Sequence, residues 1–190
     1  MFKNLFALIG LVAVVASGVL YVGVKNTLSE FDPGAADTYI ELFTNILKTK
    51  DAASATVWRF PVEEGLSPED VEKSLKMIAN ELNIANVGEL PLSKDISARS
   101  GKEYRFVKIF LFCNSLTAAQ MLDHNDAFSA YLPCRISLVE DKSGQLWLYS
   151  LNMDLMIHGG KPLPPKLKAE AENVKKIILE VMERAAEGDF

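Results

Sequence analysis

Hydrophobic positions along the chain separate into one long apolar run and several shorter, periodic segments. Leu5 to Val24 contains twenty consecutive positions without a charge, a proline or an amide side chain. At about 1.5 Å of rise per residue, a helix of this length covers about 30 Å, the hydrocarbon thickness of a bilayer. The run therefore predicts a transmembrane helix. A buried core helix is disfavoured because such helices are shorter and carry a polar stripe.

A cleavable signal peptide is the main alternative for this segment. Lys3 supplies a basic start, and the small residues Ala16, Ser17 and Gly18 would suit a cleavage site. The apolar run nevertheless continues to Val24, which is longer than the core of a signal peptide needs. This extra length favours a signal anchor that is not cleaved.

The charges around the run set its expected orientation. Lys3 precedes the run and Lys25 follows it, so the lysines alone favour neither orientation. The charge of the free amino terminus favours an N-terminus inside the cytoplasm. Residues 26–190 are then expected outside the cytoplasm, in the periplasm if the host is a Gram-negative bacterium. They carry 18 basic and 25 acidic residues, a formal charge of −7, which argues against a nucleic-acid partner.

The patterns divide the chain into three expected segments: a transmembrane signal anchor over 1–25, a linker with a juxtamembrane helix over 26–54, and an α+β domain over 55–190. The juxtamembrane helix is expected from Asp37 to Thr49. Its apolar residues recur at helical spacing, with Ile40, Phe43 and Leu47 on one side and Leu42 and Ile46 widening the stripe. Acidic residues in the same helix favour packing of this side on the domain over a position at the membrane surface. Asp51 to Ala55 is expected to be a break.

The remaining elements alternate between strands and helices. Ser67 is a suitable N-cap, Pro68 fits the first helical position and Asp70 stands at the third, so a helix is expected from there to Leu82. The other elements follow from alternation for strands and from three-to-four spacing for helices. They are a turn over 32–34, strands over 56–60, 84–92, 105–112, 135–140 and 145–150, a loop over 94–102, and helices over 116–122 and 167–185.

This order of elements has no internal repeat and predicts the α+β class. We expect a single compact domain with a mostly antiparallel sheet covered by helices on one face, preceded by one transmembrane helix. The strand that begins at Arg105 is apolar on both faces apart from Lys108, which predicts an interior position in the sheet. A composition of 49% apolar and 24% charged residues excludes a disordered or collagenous chain.

The two cysteines stand at marked positions 21 residues apart. Cys113 ends the interior strand, and Cys134 begins the hairpin. If these two strands are antiparallel neighbours, the cysteines share one sheet edge and a disulfide is within reach. If the segment between them is a crossover, they lie at opposite ends of the sheet and cannot pair. Two inert, buried thiols are the third alternative.

A family resemblance appears in the same region. Arg105 to Met156 contains a hydrophobic strand running into Cys-Asn, a short helix, Leu-Pro-Cys-Arg, an acidic-glycine hairpin and Asn-Met-Asp-Leu-Met. This stretch resembles the domain of unknown function 302 family, and Thr56 to Leu82 aligns with the family's opening strand and helix. Ser115 stands where the family usually has proline, and the anchor and juxtamembrane helix are additions. The resemblance implies a small α+β domain and no established activity.

The expected binding or redox site lies at the edge that carries the cysteines: Cys113, Asn114, Cys134 and Arg135. A sharper hypothesis adds three further ligands: Met153, Met156 and His158. Thiolate, thioether and imidazole together suit Cu(I), or could supply an axial ligand to haem. The opposing interpretation is that both methionines fill the core and His158 lies in a loop. Covalent haem c is excluded because the chain has no Cys-x-x-Cys-His.

Enzymatic templates assign no catalytic residue. The chain has no Gly-x-Ser-x-Gly elbow, phosphate loop, dinucleotide fingerprint or His-Glu-x-x-His. His124, between carboxylates in Asp123 to Asp126, suits a solvated turn better than acid–base work. The expectation is therefore a membrane-anchored accessory module that binds a ligand or takes part in redox chemistry. The alternatives are a thiol-dependent enzyme or sulfur carrier using Cys113 or Cys134, and a structural subunit.

The expected partners follow from the anchor. Residues 5–24 would contact the lipid bilayer. Gly10, Ala13 and Ser17 share one helical face, and such small residues let two membrane helices pack closely, either in a homo-oligomer or with another membrane protein.

Overall fold

The structure is a computed structural model that describes residues 2–189, with side chains described from Gly10 onward except those of Ala13 and Leu20. Lys3 and Ala13, used above for topology and helix packing, lie outside the described side chains. Within the described range the helices are α1 (Phe2–Leu28), α2 (Ala35–Thr49), α3 (Ala52–Ala55), α4 (Pro68–Glu81), α5 (Leu92–Ser100), α6 (Ser115–His124), α7 (Asp154–His158) and α8 (Pro165–Ala186), with a 3-10 turn at Asp126–Ala130. The strands are β1 (Val57–Pro61), β2 (Ala85–Leu90), β3 (Val107–Cys113), β4 (Cys134–Glu140) and β5 (Leu146–Leu151).

The described strands form one antiparallel sheet in the order β1-β5-β4-β3-β2. β3 is interior, between β4 and β2, as its two apolar faces predict. Phe110 lies opposite Ile136, and Leu138 lies opposite Leu148. These four side chains are fully buried, and the residues that alternate with them point to the other face of the sheet.

Two long helices cover the buried face. The first, α4, begins with the predicted capping box, in which the Ser67 hydroxyl accepts from the Asp70 N–H and the Asp70 carboxylate accepts from the Ser67 N–H. Pro165 opens the second, α8, and its buried stripe joins that of α4 in the core. The stripe contains Leu167, Ala171, Val174, Ile178, Val181, Met182, Ala185 and Ala186. The predicted α+β domain with an antiparallel sheet is confirmed.

The single charged residue of β3 is neutralised by a small ion-pair network. Lys108 Nζ lies 2.5 Å from a Glu72 oxygen on α4 and 2.7 Å from a Glu89 oxygen on β2. Burial works to raise the pKa of Glu89, but hydrogen bonds from Lys108 and Lys76 outweigh it and hold the pKa at about 2. Lys108 can therefore stand near the core because both carboxylates remain ionised around it.

The segment expected to be a polar loop over 94–102 is a helix, so that expectation is wrong. α5 is held by local interactions that apolar periodicity does not reveal. Asp95 and Arg99 form an i,i+4 pair with a nitrogen–oxygen distance of 2.9 Å, and Gly101 ends the helix in the left-handed region at φ 68°. The expected break after α2 is likewise a helical turn, α3, whose N-terminal N–H groups are capped by Asp51.

The juxtamembrane helix forms as α2, but a different side of it packs on the domain from the one expected. Ala35 and Thr38 are its buried residues. Ile40, Phe43 and Leu47, expected to pack inward, are 62–64% exposed. The prediction of the helix is correct, and the prediction of its buried face is wrong for these three residues, whereas Leu42 and Ile46 are half-buried.

The N-terminal helix α1 carries the long apolar run. Between Gly10 and Leu28 it is long and apolar enough to cross a membrane, with a mean hydropathy of 1.6. None of the described side chains in this stretch is buried. Length and composition of this kind are shared by membrane anchors and by signal sequences.

We expect Phe110→Ala to lower the free energy of unfolding of the domain by about 3 to 5 kcal/mol, because it removes a fully buried ring and leaves a cavity. Denaturant unfolding followed by tryptophan fluorescence measures the change. The neighbouring residue Ile109 points to the other face of the sheet and is half-buried, so Ile109→Ala is the matched control. An equal loss in both variants would contradict the assignment of the core face.

Candidate functional site

The cysteines come together at one end of the sheet. β3 and β4 are antiparallel neighbours, and Phe112, the residue before Cys113, lies opposite Cys134. This is the topology that puts a disulfide within reach, yet both thiols are free in the described structure. Each cysteine is half-buried. The antiparallel arrangement therefore brings two unbonded thiols to the same sheet edge.

A small cavity adjoins both cysteines, and its lining is rich in sulfur. The end of β3, the start of β4, helix α6 and the segment from the end of β5 into α7 bring sulfur-containing residues to it, and α8 closes it with Ala171 and Val174. The cavity has a volume of about 20 Å³, roughly the space of a single water or ion. We call this cavity the sulfur pocket; its sulfur-containing lining residues are Cys113, Met121, Cys134, Met153 and Met156.

The environment of the sulfur pocket keeps its buried thiol protonated. Burial, with a smaller contribution from the nearby Cys113, raises the pKa of Cys134 from 9.0 to about 11. No cationic side chain lines the pocket among the described residues. A catalytic cysteine needs the opposite environment, in which a nearby positive charge stabilises the thiolate. Cys134 is therefore poorly suited to act as a free thiolate nucleophile.

The two polar residues predicted beside the cysteines lie in different places, one in the lining of the sulfur pocket and one outside it. Asn114 also lines the sulfur pocket, but its side chain is the N-cap of α6, accepting hydrogen bonds from the N–H groups of Leu116 and Thr117 at 3.2 Å. Arg135 is exposed on the open face of the sheet. Asn114 thus has a structural role, and Arg135 is free to meet a ligand outside the pocket.

A larger cleft lies next to the sulfur pocket. It has a volume of about 290 Å³ and is formed by the open face of β1, β4 and β5 together with the segment before β4. Tyr131, Arg135 and Tyr149 supply its aromatic and cationic groups. Cys134, Met153 and Met156 line both the cleft and the sulfur pocket, so the two spaces share a wall.

His158, predicted as a metal ligand, is held elsewhere. Its Nδ1 lies 3.1 Å from Asp32 Oδ1, and its Nε2 lies 2.8 Å from Glu172 Oε1. Both ring nitrogens therefore face carboxylates, and neither is available to a metal in the sulfur pocket. Of the three extra ligands, the structure brings Met153 and Met156 to the cysteines and leaves His158 out.

The cluster around His158 fastens the connector between α1 and α2 to the domain. We call it the joint; it consists of Asp32, His158, Lys168 and Glu172. Lys168 donates to Asp32 Oδ2 at 2.5 Å, and the Asp32 backbone N–H donates to the Gly160 carbonyl at 2.8 Å. The side chain of Asp32 is 1% exposed. Residues 32–34, predicted only as a turn, thus include the most deeply buried charge of the joint.

The ionisation of Asp32 depends on its hydrogen bonds. Burial works to raise the pKa of Asp32, but donation from Lys168, the Gly34 N–H and His158 outweighs burial and lowers the pKa from 3.8 to about 2. A carboxylate whose pKa is lower in the folded state than in the unfolded chain stabilises the fold above the unfolded value. This contribution is lost as the pH falls from 3.8 to about 2.

Four residues of these clusters were not expected from the sequence: Met121 of the sulfur pocket, and Asp32, Lys168 and Glu172 of the joint. Met121 completes the sulfur lining, and its signal was a third sulfur lying between the two cysteines along the chain. Asp32 had no distinguishing signal, because Asp-Pro-Gly is an ordinary turn sequence. His124, considered for acid–base work, is exposed and packs on Phe128 with ring centroids 6.2 Å apart. The described residues contain no group of three or more His, Cys, Asp or Glu arranged to hold a metal ion.

The fold and the site define a small α+β domain in which an antiparallel sheet, covered by helices on one face, ends at a sulfur-lined cavity. Residues 58–185 match the family model described as Domain of unknown function DUF302. This match covers more than half of the chain, and the chain belongs to that family. The resemblance inferred from the cysteine-bearing segments is thereby confirmed. No curated protein matches the chain.

A solved structure supports the fold. The chain is similar to the crystal structure of an uncharacterized conserved DUF302 protein from Bacillus stearothermophilus, with 15% sequence identity and a TM-score of 0.56. The alignment covers 68% of this chain and 98% of that chain. At this identity the likeness concerns the fold alone.

The raised pKa of Cys134 predicts slow alkylation. A rise from 9.0 to about 11 lowers the thiolate fraction at neutral pH about a hundredfold. In a Cys113→Ser variant, iodoacetamide should therefore modify the folded chain about a hundredfold more slowly than the unfolded chain. Mass spectrometry of timed samples measures both rates. Equal rates would contradict the raised pKa of Cys134, and a folded rate above the unfolded rate would indicate an activated thiolate and support the thiol-dependent enzyme.

The joint predicts a pH-dependent loss of stability in acid. Asp32→Asn should lower the free energy of unfolding by about 2 kcal/mol at neutral pH, because it removes an ionised group whose folded pKa is depressed. The variant should also lose the decline in stability that Asp32 causes between pH 3.8 and about pH 2. Denaturant titrations at several pH values test this, with the exposed Asp37→Asn as control. Parallel pH profiles for wild type and Asp32→Asn would contradict it.

Proposed function

We propose that this chain is a membrane-anchored binding module, with its domain outside the cytoplasm, that holds Cu(I) in the sulfur pocket. The observation that carries the proposal is the convergence of two thiols and three thioethers on one ion-sized cavity. Thiolate and thioether sulfur are the protein ligands that prefer Cu(I). Oxygen and imidazole groups, which would suit harder metal ions, are directed elsewhere.

Charge is a second argument for a monovalent metal ion. The high pKa of Cys134 reflects burial without a compensating cation. Binding of Cu(I) would replace the thiol proton, which passes to solvent, and leave a neutral unit of one cation and one thiolate. A neutral centre suits an apolar cavity, whereas a divalent ion would need a second ionised thiol. The thioethers of Met121, Met153 and Met156 can complete the coordination without adding charge.

The small volume of the pocket argues against haem. A cavity of about 20 Å³ holds an ion but not a macrocycle. The adjoining cleft is large enough for a small organic ligand. Its tyrosines and Arg135 would suit a flat or acidic molecule, and this is the second candidate function. A ligand there would lie against Met153 and Met156, so it could also cover the sulfur pocket.

The anchor rests on the character of α1. Its apolar surface from Gly10 to Leu28 is uncovered by the described domain, and a helix that is apolar all round fits a membrane rather than water. The orientation expected above, with the N-terminus inside the cytoplasm, places the domain outside it. A cleaved signal sequence would also export the domain but would release it from the membrane.

Binding of Cu(I) should stabilise the domain. At a free Cu(I) concentration about one hundred times the Kd, the free energy of unfolding should rise by about 2.7 kcal/mol. Anaerobic titration against a chromophoric Cu(I) chelator measures the affinity and the expected ratio of one ion per chain. Denaturant unfolding with and without Cu(I) measures the stabilisation, and Zn²⁺ should have a much smaller effect.

Replacing thioethers by hydrocarbon isolates the role of sulfur. The double variant Met153→Leu and Met156→Leu keeps the volume of the pocket, so it should fold with a loss below about 1.5 kcal/mol per site. It should nevertheless bind Cu(I) more weakly than wild type. Met77→Leu, at a methionine on α4 that is 38% exposed and lies outside the pocket, is the matched control. Unchanged affinity in the double variant would contradict the proposal.

A further inference from the structure

Helix α2 turns its more apolar side away from the domain. The side that contacts α3 and α7 includes the buried residues Ala35 and Thr38 and the half-buried residues Leu42 and Asn45, and Ile46 is also half-buried. The opposite side carries large apolar residues that are 47–64% exposed: Tyr39, Ile40, Phe43 and Leu47. The helix therefore packs on the domain with only part of its apolar surface, and so many exposed large apolar residues are unusual on a surface helix of an isolated globular domain.

The exposed residues form one continuous stripe. Ile40, Phe43 and Leu47 are separated by three and four positions and therefore lie on one side of the helix. Each is more than 60% exposed. Apolar patches of this kind mark interaction surfaces, because water penalises a cluster of uncovered large side chains. The stripe accordingly needs an apolar partner.

The position of α2 along the chain indicates which partner. α1 ends at Leu28 and α2 begins at Ala35, and a connector of six residues spans at most about 20 Å. The connector is fixed to the domain by the buried Asp32, and α2 is fixed by the Tyr39 hydroxyl, which donates to the Gly159 carbonyl at 2.6 Å. If α1 crosses a bilayer, the surface of that bilayer lies within reach of the stripe.

We propose that α2 lies in the interfacial layer of the membrane on the domain side, with Ile40, Phe43 and Leu47 inserted among the acyl chains. The proposal rests on the proposed anchoring of α1. Interfacial helices bury an apolar side about 5 to 10 Å into the boundary between headgroups and chains, and aromatic residues such as Tyr39 and Phe43 favour this zone. The bilayer would thereby cover the stripe and orient the domain.

A second copy of the chain is less suited than the bilayer to cover the stripe. Stable protein interfaces bury about 1,200 Å² or more. α2 has 15 residues and is about 22 Å long, so two such stripes of three or four side chains fall short of that area. Insertion of the stripe into a bilayer needs no such minimum buried area, because it adds to the membrane contact that α1 would already make.

Fluorescence quenching in vesicles tests the proposal on the full chain. Phe43→Trp places a reporter on the stripe, and Tyr104→Trp places one at an exposed aromatic position, 41% accessible, in the loop before β3. Both variants and the wild type, which supplies the background of Trp58 and Trp147, are reconstituted into phosphatidylcholine vesicles with brominated acyl chains. An alkaline carbonate wash first shows whether the chain remains in the membrane.

We expect the Phe43→Trp emission to shift to the blue and to be quenched, more strongly by bromines near the headgroup than by bromines near the chain ends. Tyr104→Trp should be quenched no more than wild type. Retention after the wash with equal quenching of the two variants would overturn the position of α2 and leave the anchor intact. Loss of the chain in the wash would overturn the anchor and the inference together. A Phe43→Trp signal that depends on protein concentration and not on bromine would assign the stripe to a second copy.

Discussion

The antiparallel pairing of β3 with β4 is the interaction on which the core and the candidate site both depend. One register places Phe110 opposite Ile136 and also Phe112 opposite Cys134. A slip of one residue would exchange the two faces of β4. The core would then lose Ile136 and Leu138, and Cys134 would no longer meet the sulfur pocket. The apolar packing that stabilises the sheet therefore also sets the position of the thiols.

The elements that sequence predicts well are those whose signals are local. The capping box at Ser67, the hairpin of β4 and β5 and the prolines before α8 each specify their own boundary, and each is present in the structure. α5 was missed because its local signals, an i,i+4 ion pair and a C-terminal glycine, are not accompanied by an apolar stripe. The buried side of α2 was predicted wrongly because hydrophobic periodicity identifies an apolar side but not what that side contacts.

The sequence predicts the candidate site only for residues that lie at the ends of neighbouring strands. Two cysteines at the adjoining ends of β3 and β4 follow from the motif positions once the strands are neighbours, and Met153 and Met156 follow from their place after β5. The position of His158 does not, because it depends on Asp32, which is 126 positions away in sequence. This contact arises only when the connector and α7 have packed together. Long-range polar contacts of this kind have no local pattern.

Helix α7 connects the two clusters on which the proposals rest. This five-residue helix carries Met156 in the wall of the sulfur pocket and His158 in the joint. Lys175 of α8 forms an ion pair with Asp154 at the start of α7, so both ends of α7 are held to α8. Because Met156 and His158 are two positions apart on a short, restrained helix, neither can shift far without the other. A domain oriented on the membrane by the joint and α2 would therefore also hold the mouth of its sulfur pocket in a defined position.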